Sequence, residues 1–515
     1  MKYLGLIVLL CMSMACAEAD EPSTPPNILF ILSDDHTSQA WGIYGGILAD
    51  YVQNKNIKRL AAEGAVLDNA FCTNAICTPS RAAILTGQYS HINQVYTLNE
   101  PLPKGHPTIA KTLGEQGYQT AVIGKWHLVE QPEGFDYFNV LPGQGRYWDP
   151  ILKTKEDWKD GWESAGKVYK GFSTDVITDL TIEHLKERDT TKPFLMFCNF
   201  KATHEPFDYP ARYNDLYKDD TIPEPASLLE FERTASGRTF AGQPLEELGR
   251  RWDTYTANPD KWWTTYPGMP YPLNDLDSIT RRKKIYQKMV KDFMRSGAAI
   301  DDNIGKLLDY LEEEGLAENT VVIYTADQGY FLGEHGFFDK RLIYEESLRM
   351  PFVIRYPKEI KGGTRVDDII NNIDFAALLA DYAGIEKPAY IQGESFRANL
   401  AGKTPATWRK EMYYRYWLHE PIRPAHFGIR NDRYTLALFY GQPLDKKGAS
   451  RQTTPARWEF YDLEKDPQQL HNAYNDAEYT EIIKEMKVAL KRLRKEYQDE
   501  DTAYPTMNGV LVRNL

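Results

Sequence analysis

The chain has 515 residues, 42% of them hydrophobic and 26% charged, and carries a formal net charge of −12. That length exceeds one ordinary core and implies two or three domains, and the acidic balance excludes nucleic acid as the natural partner and a generally cationic surface. Any anion the protein handles must be gripped by a local cluster of Arg, Lys and His.

The chain opens with Met1-Lys2, an apolar run from Leu4 to Leu10, and small residues at Ala15-Cys16-Ala17. This reads as a secretory signal peptide over residues 1–19, too short to stay as a membrane span. Cleavage after Ala17 or Ala19 gives a periplasmic protein, and lipidation at Cys16 gives a cell-surface lipoprotein. Both stay open, and neither adds a transmembrane helix.

After a Pro-rich linker at 22–26, Ile28-Leu29-Phe30-Ile31-Leu32 reads as a strand buried on both faces. It runs into Ser33-Asp34-Asp35-His36. Adjacent carboxylates at the end of a buried strand need a partner, which makes this either an acidic turn or a hard-cation site. Next comes Cys77-Thr78-Pro79-Ser80-Arg81, leading into Ala82-Ala83-Ile84-Leu85. Thr78 suits an N-cap and Pro79 a first helical position, which leaves Cys77 at or just before a helix N-terminus where an anion is favoured. Arg81 adds a fixed guanidinium one turn in.

Three further strands are expected. One covers 118–123 and runs into Lys125-Trp126-His127, one covers 193–200 and runs into His204-Glu205-Pro206, and one covers 321–325 and runs into Asp327-Gln328-Gly329. Helical patterns at 56–63 and 301–314 alternate with them, so the sheet is expected to be mostly parallel, with its chemistry beyond the carboxyl ends of the strands. Residues 207–278 break the alternation. This insertion is rich in aromatics and arginine, among them Tyr209, Arg233, Arg238, Arg251, Trp252, Trp262, Trp263, Tyr266 and Tyr271. It suits a sugar ring bearing an anion, or a small core packed beneath a long loop.

The first domain spans 26–400. A smaller α+β domain over 405–515 is expected to hold an antiparallel sheet (strands 427–430, 434–439 and 458–461) and an amphipathic helix bearing Ile483, Met486, Leu490 and Leu493. Arg415, Trp417, His419, Arg423, His426 and Arg430 crowd that domain, either lining the pocket mouth or bonding across domains; His426 is assigned to the pocket. Cys72 and Cys198 are expected as buried thiols, with a disulfide as the alternative.

Asp34, Asp35, Asp327 and Gln328 offer only oxygen ligands, which selects a hard cation, Ca²⁺ first and Mg²⁺ as the alternative. A two-zinc phosphatase would want several histidines in that set.

Cys77-x-Pro79-x-Arg81 with Ala82-Ala83-x-Leu85-Thr86-Gly87 resembles the signature of type I sulfatases, members of the alkaline phosphatase superfamily. Gly124-Lys125-Trp126-His127, His204-x-Pro206, Ala326-Asp327-Gln328-Gly329 and Leu332-Gly333-Glu334-His335-Gly336 leading to Lys340 follow in family order. Gln328 departs from the Asn or His that relatives often carry. The resemblance implies an α/β fold, an alkaline-phosphatase-like sandwich whose large, mostly parallel sheet is flanked by helices. It implies that a formylglycine-generating maturase converts Cys77, and that the formylglycine hydrate is the nucleophile and a fifth metal ligand. Asp327 then accepts a proton from that hydrate, with Arg81 and Lys125 holding it. His204 with Lys340 protonates the leaving oxygen, and His127 releases sulfate from the covalent intermediate. His335 and Asp339 are expected to touch substrate or shape the loop. The implied substrate is a sulfated glycan of the glycosaminoglycan, mucin or algal type, with Gal, GalNAc or GlcNAc 4-O- or 6-O-sulfates first. The rival readings are a formylglycine-dependent phosphonate or phosphate monoester hydrolase and a non-catalytic glycan-binding lipoprotein.

Overall fold

The computed structural model describes residues 25–98, 100–160, 166–230, 243–255 and 265–515. The expected signal peptide with Cys16 lies outside these, as do Arg233, Arg238, Trp262 and Trp263.

The main sheet has eight strands: β1 (Asn27–Asp34), β2 (Ala65–Leu67), β3 (Gln119–Lys125), β4 (Tyr137–Leu141), β5 (Phe194–Thr203), β6 (Thr320–Ala326), β7 (Phe352–Arg355) and β8 (Thr364–Val366). Their spatial order is β8-β2-β7-β6-β1-β5-β3-β4, and only β7 runs antiparallel to its neighbours. β1 sits at the centre, between β6 and β5. Its alternate side chains feed two cores, with Ile28, Phe30 and Leu32 on one face and Leu29 and Ile31 on the other. A strand buried on both faces must be apolar throughout, which is why its sequence lacks alternation.

Helix α1 (Cys77–Thr86) covers the first face, and all ten of its residues are buried. It starts two residues earlier than expected: Ile76 is the N-cap, and Thr78 Oγ1 donates to the Leu98 carbonyl instead of capping. It stops at Gly87, whose φ of 65° is left-handed and where a Cβ would lie 2.7 Å from Ile391. The opposite face is covered by α2 (Ser278–Glu313), a helix of 36 residues capped by Asp277, whose carboxylate accepts from the Ile279 and Thr280 amides at 3.0 Å. Its second half packs Ile300, Ile304, Leu307, Leu308 and Leu311 against the sheet.

The first half of α2 carries the insertion. Leu245, Leu248, Trp252, Tyr266 and Leu273 pack on Ile285, Tyr286, Met289 and Phe293, so the described part of 207–278 forms a satellite core. C-terminal to the main sheet lies a four-stranded antiparallel sheet, β9 (Glu411–Tyr416), β10 (His426–Asn431), β11 (Tyr434–Phe439) and β12 (Arg457–Asp462), backed by α3 (Thr480–Glu496). Arg430 reaches from it to Glu345 at 2.9 and 3.0 Å, and Arg423 to Asp339 at 3.0 Å. Both arginines thus tie the C-terminal part of the chain to the segment between Asp339 and Glu345. Cys72, Cys77 and Cys198 are free, buried thiols.

Candidate active site

The carboxyl ends of four adjacent strands meet the N-terminus of α1. β1 ends in Asp34, and Asp35 then turns in the left-handed region at φ 63°, which Asp tolerates better than most residues. β6 delivers Asp327 and Gln328, β3 delivers Lys125 with His127 two residues on, and β5 delivers His204. Cys77 is the first residue of α1 and is fully buried.

Arg81, on the next turn of α1, donates from Nε to Asp327 Oδ2 and from Nη1 to the Lys125 carbonyl, each at 2.9 Å, and its Nη2 lies 3.5 Å from Asp34 Oδ1. Lys125 bonds Asp34 Oδ2 and donates to Gln144 Oε1 at 2.6 Å. Lys340 reaches Asp35 Oδ2 at 2.6 Å, and His204 Nε2 lies 3.7 Å from the same oxygen. Gln328 Nε2 donates to Asp35 Oδ1 and approaches Cys77 Sγ at 3.7 Å. The expected residues on the strand ends therefore converge on one point beside Cys77.

Their protonation follows from burial and charge. Burial alone would raise the Asp34 carboxyl, but Lys125, His204, Arg81 and Lys340 together hold it well below the usual range. Burial and the Asp34 charge raise Asp35 despite Lys340. Burial pushes Asp327 up to about 7 against the pull of Arg81, with Asp34 and Asp35 adding to the rise. His127 and His204 are both driven well below the ordinary imidazole value by burial, then by Lys125 for the former and Lys340 for the latter. Burial and Asp34 raise the Cys77 thiol, so as a thiol it is a poor nucleophile at neutral pH.

Oxygen atoms of Asp34, Asp35 and Asp327 lie within 4.8 Å of one another, all three residues buried. Among the described residues, Asp34 Oδ1 and the Gln328 amide oxygen are buried without a hydrogen-bond donor. Three buried carboxylates and an unused amide oxygen at one point fit a hard cation, and the residues present suit one.

The pocket above Cys77 has a volume of about 160 Å³. Its lining includes Asp35, Gln144, His204, Glu205, Arg251, Tyr330, Asp339, Lys340 and Arg341. A larger cavity of about 640 Å³, near Gly45, Asn69 and Glu346, holds none of the residues named for chemistry.

Two expected substrate residues fall elsewhere. His426 does not line the pocket: its ring stacks on Phe439 at 4.5 Å between Tyr414 and Tyr416, and its Nδ1 lies 2.8 Å from the Pro424 carbonyl. Pairing of β10 with β9 and β11 turns it into that aromatic stack. His335 also lies outside the pocket, with its amide on Ser227 Oγ and Nδ1 on Glu230, both at 3.0 Å, so it shapes the loop. Several polar pocket residues carry no local signal in the sequence, among them Gln144, Glu205 and Arg251. Gln144 follows β4, and recognising 137–141 as a strand would have put it at a carboxyl end. Glu205 was passed over beside His204. Arg251 was one of many insertion arginines, with nothing local to single it out.

A buried cradle that fits a hard cation, a cysteine at a helix N-terminus and two lysines bonded to the cradle's carboxylates suit a hydrolase of oxyanion esters. More narrowly, the chain belongs to the sulfatase family: the Sulfatase family model matches residues 26–385, and the model for the N-sulphoglucosamine sulphohydrolase C-terminal region matches 333–496. It is 39% identical to the N-acetylglucosamine-6-O-sulfatase of Bacteroides thetaiotaomicron over 534 aligned residues, 96% of this chain and 91% of that protein. The structure of BT4656 in complex with its substrate D-glucosamine-2-N,6-O-disulfate matches with a TM-score of 0.84 and 37% identity, covering 94% of this chain and all of that one (100%). The phosphonate monoester hydrolase of Silicibacter pomeroyi shares the fold at a TM-score of 0.69 and 21% identity over 92% of this chain and 96% of its own. No helix among the described residues is long and apolar enough to cross a membrane.

Proposed function

We propose that this sulfatase removes the 6-O-sulfate from N-acetylglucosamine or glucosamine in a sulfated glycan, outside the cytoplasm. The carrying observation is the 39% identity, along nearly the whole length of both chains, to an N-acetylglucosamine-6-O-sulfatase. The pocket supports it, since Cys77, His204 and Lys340, residues that would attack and hold the ester, line one cavity of about 160 Å³.

In this reading a maturase converts Cys77 to formylglycine, and its hydrate attacks sulfur. Ca²⁺, held by Asp34, Asp35, Asp327 and Gln328, would supply charge neutralisation at the sulfate when bound. Asp327, pushed up to about 7, takes the proton of the attacking hydroxyl, and Arg81 fixes that carboxylate from Nε at 2.9 Å. Lys125 and Lys340 draw the sulfate oxygens inward as the S–O bond to the sugar lengthens. His204 gives its proton to the departing sugar oxygen; burial first and Lys340 second depress this imidazole, and the incoming anion counters both by favouring its charged form. His127, neutral because it is buried, then takes the proton of the remaining hydroxyl, so that the C–O bond breaks, sulfate leaves and the aldehyde returns.

The test is sulfate release by the full chain co-expressed with a formylglycine-generating enzyme, across 6-O-sulfated GlcNAc, GalNAc and Gal and 4-O-sulfated GalNAc. Release from the GlcNAc ester alone, absent in Cys77→Ala, is expected. Release of phosphate only, or of sulfate from another regioisomer only, overturns the reading.

A further inference from the structure

His204 sits in a turn just past β5 whose contacts extend beyond the pocket. Its amide donates to the Lys201 carbonyl at 3.2 Å, and its Nδ1 lies 2.8 Å from the Glu205 carbonyl oxygen. A carbonyl only accepts, so Nδ1 carries a proton and Nε2 is the nitrogen left to face the pocket, 3.7 Å from Asp35 Oδ2. The His204 carbonyl accepts the Tyr147 hydroxyl at 2.6 Å and, less closely, the Phe207 amide at 3.2 Å.

Tyr147 is itself held from three sides. It is buried, its ring stacks on Phe172 with centroids 5.5 Å apart, and its carbonyl accepts at 2.7 Å from the amide of Ser173, the first residue of the helix Ser173–Lys186. In the same loop Gln144 accepts from Lys125 at 2.6 Å. The loop after β4 therefore touches both a cation that draws in the sulfate and the turn that bears the acid. Lys201 is buried too, with its Nζ over the face of the Tyr147 ring, 4.8 Å from the centre. A buried ammonium is costly, and an aromatic face offsets part of that cost only while the ring stays beneath it. Lys201 thus engages His204 twice, directly through its own carbonyl and indirectly through the ring whose hydroxyl bonds the His204 carbonyl. Neither Tyr147 nor Lys201 lines the pocket, so both act on the reaction through His204.

We propose that Tyr147 and Lys201 are positioning residues for His204, holding the main chain of its turn so that Nε2 meets the leaving oxygen at the approach proton transfer requires. That approach is about 2.6–3.2 Å between heavy atoms, and a misplacement of about 1 Å can cost about 100-fold. Loss of the Tyr147 hydroxyl leaves the Phe207 amide on the His204 carbonyl, so a smaller loss, about tenfold, is expected. The inference rests on the reading of His204 as the general acid.

The experiment is a double-mutant cycle on the full chain with matched formylglycine content, using whichever of the sulfated sugars named above the wild type turns over fastest. Tyr147→Phe keeps the ring beneath Lys201 and removes only the hydroxyl. It is expected to lower kcat about tenfold while KM stays within about twofold. His204→Ala alone is expected to lower kcat about 10²–10⁴-fold. Adding Tyr147→Phe to His204→Ala is expected to change the remaining rate by less than about twofold, since no acid is left to position. Lys201→Met, which keeps the carbonyl on the His204 amide, is expected to lower kcat with His204 present and to have no further effect without it. Losses of equal size in both backgrounds mark a general structural role and overturn the inference, as does a loss carried by KM or a Tyr147→Phe protein with full kcat. A His204→Ala protein within about threefold of the wild-type rate overturns the general-acid reading itself, and the inference with it.

Discussion

Replacing Lys125 by Met keeps the length of the side chain and removes the cation that Asp34 depends on. Lys125 is fully buried and bonds Asp34 Oδ2, and the next cation, Arg81 Nη2, is 3.5 Å from Asp34 Oδ1. Breaking a buried pair from one side typically costs about 3–5 kcal/mol, because the surviving charge is stranded. A divalent cation on the three carboxylates would cover that stranded charge, so the loss should shrink to about 1–2 kcal/mol when the ion is bound. By linkage the difference, about 2 kcal/mol, appears as roughly 30-fold tighter cation binding by Lys125→Met, since a positive neighbour has been removed. The assay is denaturant unfolding of both proteins in EDTA and in saturating Ca²⁺. Turnover is followed in parallel and is expected to fall about 100-fold or more as the sulfate loses a preorganised donor. Equal destabilisation with and without Ca²⁺ would refute the reasoning that Lys125 and the cation share Asp34.

Other consequences follow from groups around the site. His426 is held down to about 4 by burial, so its neutral form belongs to the folded state. Stability is then lost as pH falls below the unfolded value near 6.5 and until the folded value is reached. From pH 7.5 to pH 5 this amounts to about 2 kcal/mol, and His426→Phe should be spared that part of the acid sensitivity, measured by unfolding at both pH values. Glu345 is held at about 2, burial being overcome by Arg430 and Arg349. Arg430→Met should cost about 2–3 kcal/mol at pH 7, Arg349 remaining as a partial partner. Because the depressed carboxyl stabilises above its unfolded value and not below, that cost should shrink as the pH falls below about 4, which urea unfolding across pH would reveal.

How far the sequence could be read depended on whether the signal was local. The four strands that carry the site read as largely apolar segments, unbroken in Ile28–Leu32 and interrupted by Gln119, Thr120 and Asn199 elsewhere, that run into Asp34-Asp35, Lys125, His204 and Asp327. The strand Glu411–Tyr416 was missed because Glu411 and Arg415 break an otherwise apolar and aromatic segment without regular alternation, and its partner strand follows ten residues on. Only the second half of the long helix was evident, since the first half presents its apolar face to the insertion, whose fold no local pattern specifies. His426 was misplaced because a dense run of Arg and His looks like a pocket rim. The rings that enclose it come from β9 and β11 through strand register, which local composition does not encode. Arg251 was invisible for a related reason: its reach into the pocket depends on how the inserted helix docks.

The most direct test of the proposed chemistry is to measure sulfate release from GlcNAc-6-O-sulfate as a function of the fraction of Cys77 converted to formylglycine. That fraction is set by varying maturase co-expression and read by peptide mass spectrometry. The account predicts a rate that rises in proportion to conversion and vanishes at none, because the buried Cys77 thiol is raised well above the range in which it could attack. Substantial turnover by unconverted protein, or none by fully converted protein, would contradict it.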